Sequence, residues 1–349
     1  KSLHKKPCGV RIMPYTTIDD PTIYFNTVLY TGDGTSSKAI TGVGFQPDWV
    51  WLKARNHAYS HQLFDAVRGA TKLLSSEEAS AEQTLSGVTS FDSDGFAVGS
   101  DAGSNGNAKT FASWNWLAGG TAPAITYSVK VVSDSGNKYR FDDFGTSAVT
   151  LDLQEGGTYT FDLSDSSNDG HPMKFSETSN GSHGGGSTYS TGVVYQLDGA
   201  SVTEANYYNT SNFNSASSRK IIITVAASAP TLYYFCHYHS GMGGQANTNS
   251  TFGSSNFSGS IQSTSSAGST QGFSIVSYTG TGSAATVGHG LGATPKMIIV
   301  KNRDDSTKSW VTQITVLGNN YLELNNTNAT FSGSTYSVSY THLTLPTIE

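Results

Sequence analysis

Two stretches of this chain repeat one another, and that constrains its fold more than any other feature. Phe25, Val28, Tyr30, Thr31, Gly32, Gly34, Gly42, Gly44, Pro47, Lys53 and Arg55 recur as Phe273, Val276, Tyr278, Thr279, Gly280, Gly282, Gly290, Gly292, Pro295, Lys301 and Arg303, each 248 residues downstream. After a one-residue insertion, Val67, Gly69 and Leu73 return as Val316, Gly318 and Leu322. Equal spacing of glycine, proline and aromatic positions implies equal backbone paths, so one module is expected twice, on either side of something else.

Each copy reads as β. An opening strand, Tyr24 to Tyr30 or Phe273 to Tyr278, runs into Tyr-Thr-Gly-x-Gly, where glycine supplies the positive φ of a turn. Pro47-Asp-Trp-Val-Trp-Leu-Lys53 and Pro295-Lys-Met-Ile-Ile-Val-Lys301 read as a second, largely buried strand. The first copy closes on the aromatic Phe111-Ala-Ser-Trp-Asn-Trp-Leu117. The expected organisation is a first module over residues 13–120, a central domain over 124–247, a Ser/Gly-rich linker over 248–271 and a second, truncated module over 272–337.

The ends are expected to be foreign. Residues 1–12 are basic and match nothing downstream, so Met13 reads as the start and Cys8 as part of an upstream leader. No apolar region marks a signal peptide. Residues 338–349 resemble the translation of a transposase adapter used in sequencing libraries.

Composition supports an all-β chain. Charged residues make up 13% against about 25% in ordinary globular proteins, with Gly, Ser, Thr and Asn in their place and 11% aromatics. That mixture favours short strands joined by turns. A net charge of -6 leaves no basic footprint for nucleic acid, and no apolar run is long enough to span a bilayer. Nothing reads as an enzyme: no Gly-x-Ser-x-Gly elbow joins a strand to a helix. The carboxylates Asp142, Asp143, Asp162, Asp165 and Asp169 lack calcium-loop spacing and read as solvated turns. His57, His61 and His183 read as exposed loop residues.

The candidate chemistry lies in Leu232-Tyr-Tyr-Phe-Cys-His-Tyr-His-Ser-Gly-Met-Gly-Gly244. Cys236, His239 and Met242 follow C-x2-H-x2-M, which sets a thiolate, an imidazole and a thioether in one loop after an apolar strand. Copper in a trigonal site takes two imidazoles, one thiolate and a weak axial thioether. His171, after Thr158-Tyr-Thr-Phe-Asp-Leu163 and a turn-rich segment, is the candidate for the second imidazole. A fragment of a zinc site is the competing reading, although structural zinc prefers four N/S ligands and seldom uses methionine. A buried, inert cysteine is another. Alternation along the strand sends His237 to the face opposite Cys236.

These residues resemble the cupredoxins, the type 1 (blue) copper proteins, over roughly Ile125 to Asn247. The resemblance implies a Greek-key β-sandwich and one copper ion on His171, Cys236, His239 and Met242. One departure concerns the residue after the first histidine, whose N–H usually donates to the copper-bound sulfur. Here it is Pro172, which has none.

The flanking modules resemble one that recurs in structural proteins of marine tailed phages. The shared pieces are Tyr-Thr-Gly-x-Gly, Gly-Val-Gly-Phe-Gln-Pro-Asp-Trp-Val-Trp, Phe-Asp-Ala-Val-Arg-Gly-Ala-Thr-Lys and Phe-Ala-Ser-Trp-Asn-Trp, with Gly170-His-Pro-Met-Lys-Phe-Ser and His239-Ser-Gly-Met-Gly-Gly in the central domain. This implies a tail-fibre-like protein in the phage particle, its partners other virion proteins or the host cell surface, with homo-oligomers compatible. The alternative is an electron-transfer copper protein with accessory β-sandwich domains.

Overall fold

The computed structural model describes residues 20–248, 253–318, 320–332, 337–338 and 342–345. The leader read at residues 1–12 lies outside them. Strands dominate, as expected of an all-β chain, and the longest helix among the described residues, Thr210–Ser215, has six residues. No helix among them is long and apolar enough to cross a membrane.

The first copy is built on period-two alternation. Along Trp49–Ala54, Val50, Leu52 and Ala54 are buried while Trp49, Trp51 and Lys53 stay half-exposed. Thr110–Trp116 lies between this strand and Phe25–Thr31, antiparallel to both, so Trp116 faces Phe25 on one side and Trp49 on the other. Gln62–Asp65 and Lys72–Ser75 extend the sheet, and Lys38–Thr41, Gly95–Val98 and Val88–Asp92 form a smaller one. Ile40, Val50, Leu52, Phe64, Phe96 and Val98 make their shared core.

The repeat is visible in strand positions and pairing. Met297–Val300 pairs with Val311–Ile314, and that with Asn320–Glu323, in the same order as Trp49–Ala54, Gln62–Asp65 and Lys72–Ser75. The neighbour of Phe273–Tyr278 is Ser263–Gly268, from the stretch expected as a linker. That stretch also contributes Ser254–Asn256. Its composition is that of a flexible tether, but backbone pairing with Phe273–Tyr278 satisfies its N–H and C=O groups, and Phe257 buries itself in the central core. Of the tail read as adapter, His342–Leu345 pairs with Ala285–Gly288 and Leu343 is buried, while residues 339–341 and 346–349 lie outside the described residues.

The two copies pack together. Trp310 is buried against Leu63 and Leu74, and its indole N–H donates to the carbonyls of Ser75 at 2.8 Å and Glu78 at 3.1 Å. Glu82 accepts from both Arg303, at 2.9 Å, and Arg68, at 3.1 Å. Phe273 stands edge-on to Trp49 and stacks on Trp116.

Between them lies a sandwich. One sheet runs Asn137–Phe141, Ala124–Ser133, Thr158–Asp162, Arg219–Thr224, Val193–Leu197 and Ala200–Val202. The other runs Leu151–Asp152, Gly244–Asn247, Leu232–Cys236 and Met173–Ser176. Tyr127, Phe141 and Phe161 from the first and Phe175 and Tyr234 from the second fill a single core. Trp310→Ala should lower the stability of the full chain by about 3–5 kcal/mol, the usual loss for a buried tryptophan, read as a lower urea midpoint. An unchanged midpoint would mean that the contact between the copies contributes little.

Candidate metal centre

The site is assembled by strand register. Met173–Ser176 runs antiparallel to Leu232–Cys236, with Met173 opposite Cys236. The ladder continues one step further, the His237 N–H donating to the Pro172 carbonyl at 3.0 Å. His171, just before this pairing, is thereby held beside the end of the strand that carries Cys236, and the chain after Cys236 turns back to bring His239 over the sulfur.

Both imidazoles present Nδ1 to the thiol. Cys236 Sγ lies 3.8 Å from His171 Nδ1 and 3.6 Å from His239 Nδ1. The two ring centroids are 4.6 Å apart, and one ligand atom from each residue falls within 4.8 Å of the others. Three N/S donors converging on one point are what a metal ion requires. Met242 is buried in the same core cluster as Cys236, while His239 is exposed. The four residues singled out from sequence therefore divide into a converging His171, Cys236 and His239, and a Met242 buried in the same core cluster as Cys236.

Neighbouring groups hold the ligand segments. Arg219, buried with its ring-stacked partner Phe213, donates to Asp169 at 2.5 Å and to the carbonyls of Ser164 and Asp165, the turn that precedes His171. The Gly170 N–H donates to the Asn214 side chain at 2.8 Å. On the other loop, Asn180 accepts from the Gly241 N–H and donates to Ser240 Oγ, both at 2.8 Å, and Lys138 donates to the Gly241 carbonyl. Asn137 Nδ2 stands 3.5 Å from His171 Nε2.

Burial pushes the Cys236 thiol up, and the N–H groups of Tyr238 and His239 and the Tyr139 hydroxyl act the other way. Burial, together with the neighbouring His239, holds His171 below the ordinary histidine value of 6.5. Without metal the site is a neutral imidazole beside a protonated thiol, and metal binding must displace the thiol proton.

The other sequence candidates serve structure. His237 turns away from the sulfur, stacking on Tyr208 with ring centroids 4.1 Å apart and meeting Lys174 Nζ at 3.2 Å. His183, exposed as expected, lies with Nε2 3.0 Å from the Cys236 carbonyl. His61 accepts from the Trp51 indole, and His57 stacks on Tyr59. Asp142 accepts from the Ser128 N–H, Asp143 pairs with Lys130 and Asp165 caps a short turn. Arg219, Asn180 and Tyr139 were not singled out from sequence, because their partners lie tens of residues away and no local motif announces them.

Fold and site together define an all-β protein with a sandwich that carries a His/Cys/His cluster at one end. The chain belongs to the family described as a domain of unknown function, DUF7483, whose model matches residues 20–161 and 246–348. No curated protein and no solved structure matches it. The family match passes over residues 162–245, the segment that contains His171, Cys236, His239 and Met242.

The pH dependence follows from the directions above. In the metal-free protein, the unfolded chain takes up the His171 proton near its ordinary value of 6.5, whereas the folded chain does so only at lower pH. This contribution to stability is complete above about pH 6.5 and is lost as pH falls through the depressed folded value. Metal affinity should rise with pH between 6 and 8, by about tenfold per unit from the thiol proton alone. A chelator competition with Zn(II) at pH 6, 7 and 8 measures this, and a flat profile would exclude Cys236 as a ligand.

Proposed function

We propose that this chain is a tail-fibre-like structural protein of a phage particle whose central domain, a Greek-key sandwich of cupredoxin type, holds one copper ion. The observation that carries the copper reading is the approach of the Cys236 sulfur to Nδ1 of both His171 and His239, at 3.8 and 3.6 Å. A thiolate and two imidazoles in one plane, with a thioether from the same loop, is the donor set of a trigonal copper site. Zinc is disfavoured because a thioether is a poor fourth ligand for it.

His171, Cys236 and His239 would hold the ion, with Met242 as the weaker thioether donor. Copper held there would provide a one-electron couple coupled to a thiolate bond. The chain's own contribution is to keep Cys236 and Met242 out of water and to fix the ring of His171 from behind, where Asn137 meets Nε2. The ligands lie in the segment that the family match passes over, which favours metal binding as a property of this segment and not of the flanking modules. The virion reading is supported by the modules' resemblance to phage structural proteins. Its partners would be other virion proteins or the host cell surface. The electron-transfer reading gains support from one observation, the exposure of His239, which would give the centre an edge at the surface.

Loading the full chain with Cu(II) should produce strong visible absorption and a blue or green protein. Cys236→Ser should abolish the colour. Met242→Leu should retain it and mainly shift the potential, because the axial bond is long and weak. A wild-type chain that binds Zn(II) and Cu(II) alike and never colours would leave only a structural metal. Capsid, portal or tail genes beside its gene would agree with the virion reading, and respiratory genes would contradict it.

A further inference from the structure

The ligand segments approach one edge of the larger sandwich sheet, the strand Asn137–Phe141, which has a neighbouring strand on one side only. Groups on its other side are taken up by the metal loops. The Tyr139 N–H donates to the Met242 carbonyl at 3.0 Å, and the Tyr139 hydroxyl donates to the His171 carbonyl at 2.8 Å. The ring between these two groups is fully buried and packs against Tyr234, two residues before Cys236. No other residue described above is bonded to the backbone of two ligand residues.

Resting on the metal reading above, we propose that Tyr139 is the positioning residue of the centre: its hydroxyl sets the His171 segment and its backbone sets the Met242 segment. The spacing of the His171 and Met242 segments is thus fixed by one rigid side chain and one peptide unit. An aromatic ring suits this role because it has few rotamers to lose and spans the gap in one piece. Loss of the hydroxyl would leave the His171 carbonyl without the bond that ties it to this edge strand.

The test replaces only the hydroxyl. In the full chain, Tyr139→Phe should bind Cu(II) about ten- to a hundredfold more weakly, the range found when partners of metal ligands are removed, and should shift the visible band. Tyr195→Phe is the control, because it removes a buried hydroxyl of the same sandwich that has no hydrogen-bond partner. It should retain wild-type affinity and spectrum. If Tyr139→Phe does not fold, 3-fluorotyrosine at position 139, of nearly the same shape but with a more acidic hydroxyl, should still move the band and the potential. Wild-type affinity and spectrum in Tyr139→Phe, or an unmoved band with fluorotyrosine, would overturn the inference alone. A wild-type chain that takes up no Cu(II) would overturn the metal reading and the inference with it.

Discussion

Everything at the candidate centre depends on the register between Met173–Ser176 and Leu232–Cys236. Side chains alternate along a strand, so a slip of one residue would turn Cys236 out of the core and carry His171 away from it. The register is held by core packing and by the backbone. Phe175 and Tyr234, directly opposite one another, are buried in the core, and the His237 N–H extends the ladder to the Pro172 carbonyl. Pro172 has no N–H, but the ladder needs only its carbonyl at that point. The proline therefore leaves the pairing intact while offering no donor to the sulfur, and the N–H groups of Tyr238 and His239 act to lower the thiol pKa that burial raises.

The relation between scaffold and site is closer than the family match implies. The matched part ends at Phe161 and resumes at Ala246, yet the ring of Phe161 meets that of Phe175 at 5.5 Å, and the ring of Phe141 meets that of Tyr234 at 5.1 Å. Segment and scaffold share one hydrophobic core, so the strands that carry the candidate site are not a pendant domain that could be cut away. The matched strands would then lose the aromatic surface they pack against, and burial of a large apolar side chain is worth roughly 1.5–3 kcal/mol. Of the four residues only Cys236 lies in a strand, and the loops that carry His171, His239 and Met242 are anchored at the ends of such strands.

How much of this could be read in advance depended on the range of the interaction. The repeat could be read because it is a statement about spacing, and Met297–Val300, Val311–Ile314 and Asn320–Glu323 lie where the first copy places them. The approach of His239 to Cys236 could be read because one loop carries both, and that of His171 because it follows a strand and a turn-rich segment. The segment at 248–271 misled because serine- and glycine-rich composition is shared by tethers and by strands whose pairing partner supplies the stability, here Phe273–Tyr278. Arg219, Asn180, His183 and Tyr139 left no local signal. Their roles exist only once strands far apart in sequence are paired.

The central claim is that Cys236, His171 and His239 bind one copper ion together. X-ray absorption at the copper edge of the loaded full chain tests it most directly. The account predicts one sulfur and two imidazole nitrogens at roughly 2.0–2.3 Å, by analogy with the same ligands on zinc, and loss of the sulfur shell in Cys236→Ser. A first shell of oxygen and nitrogen only, unchanged by that substitution, would contradict it.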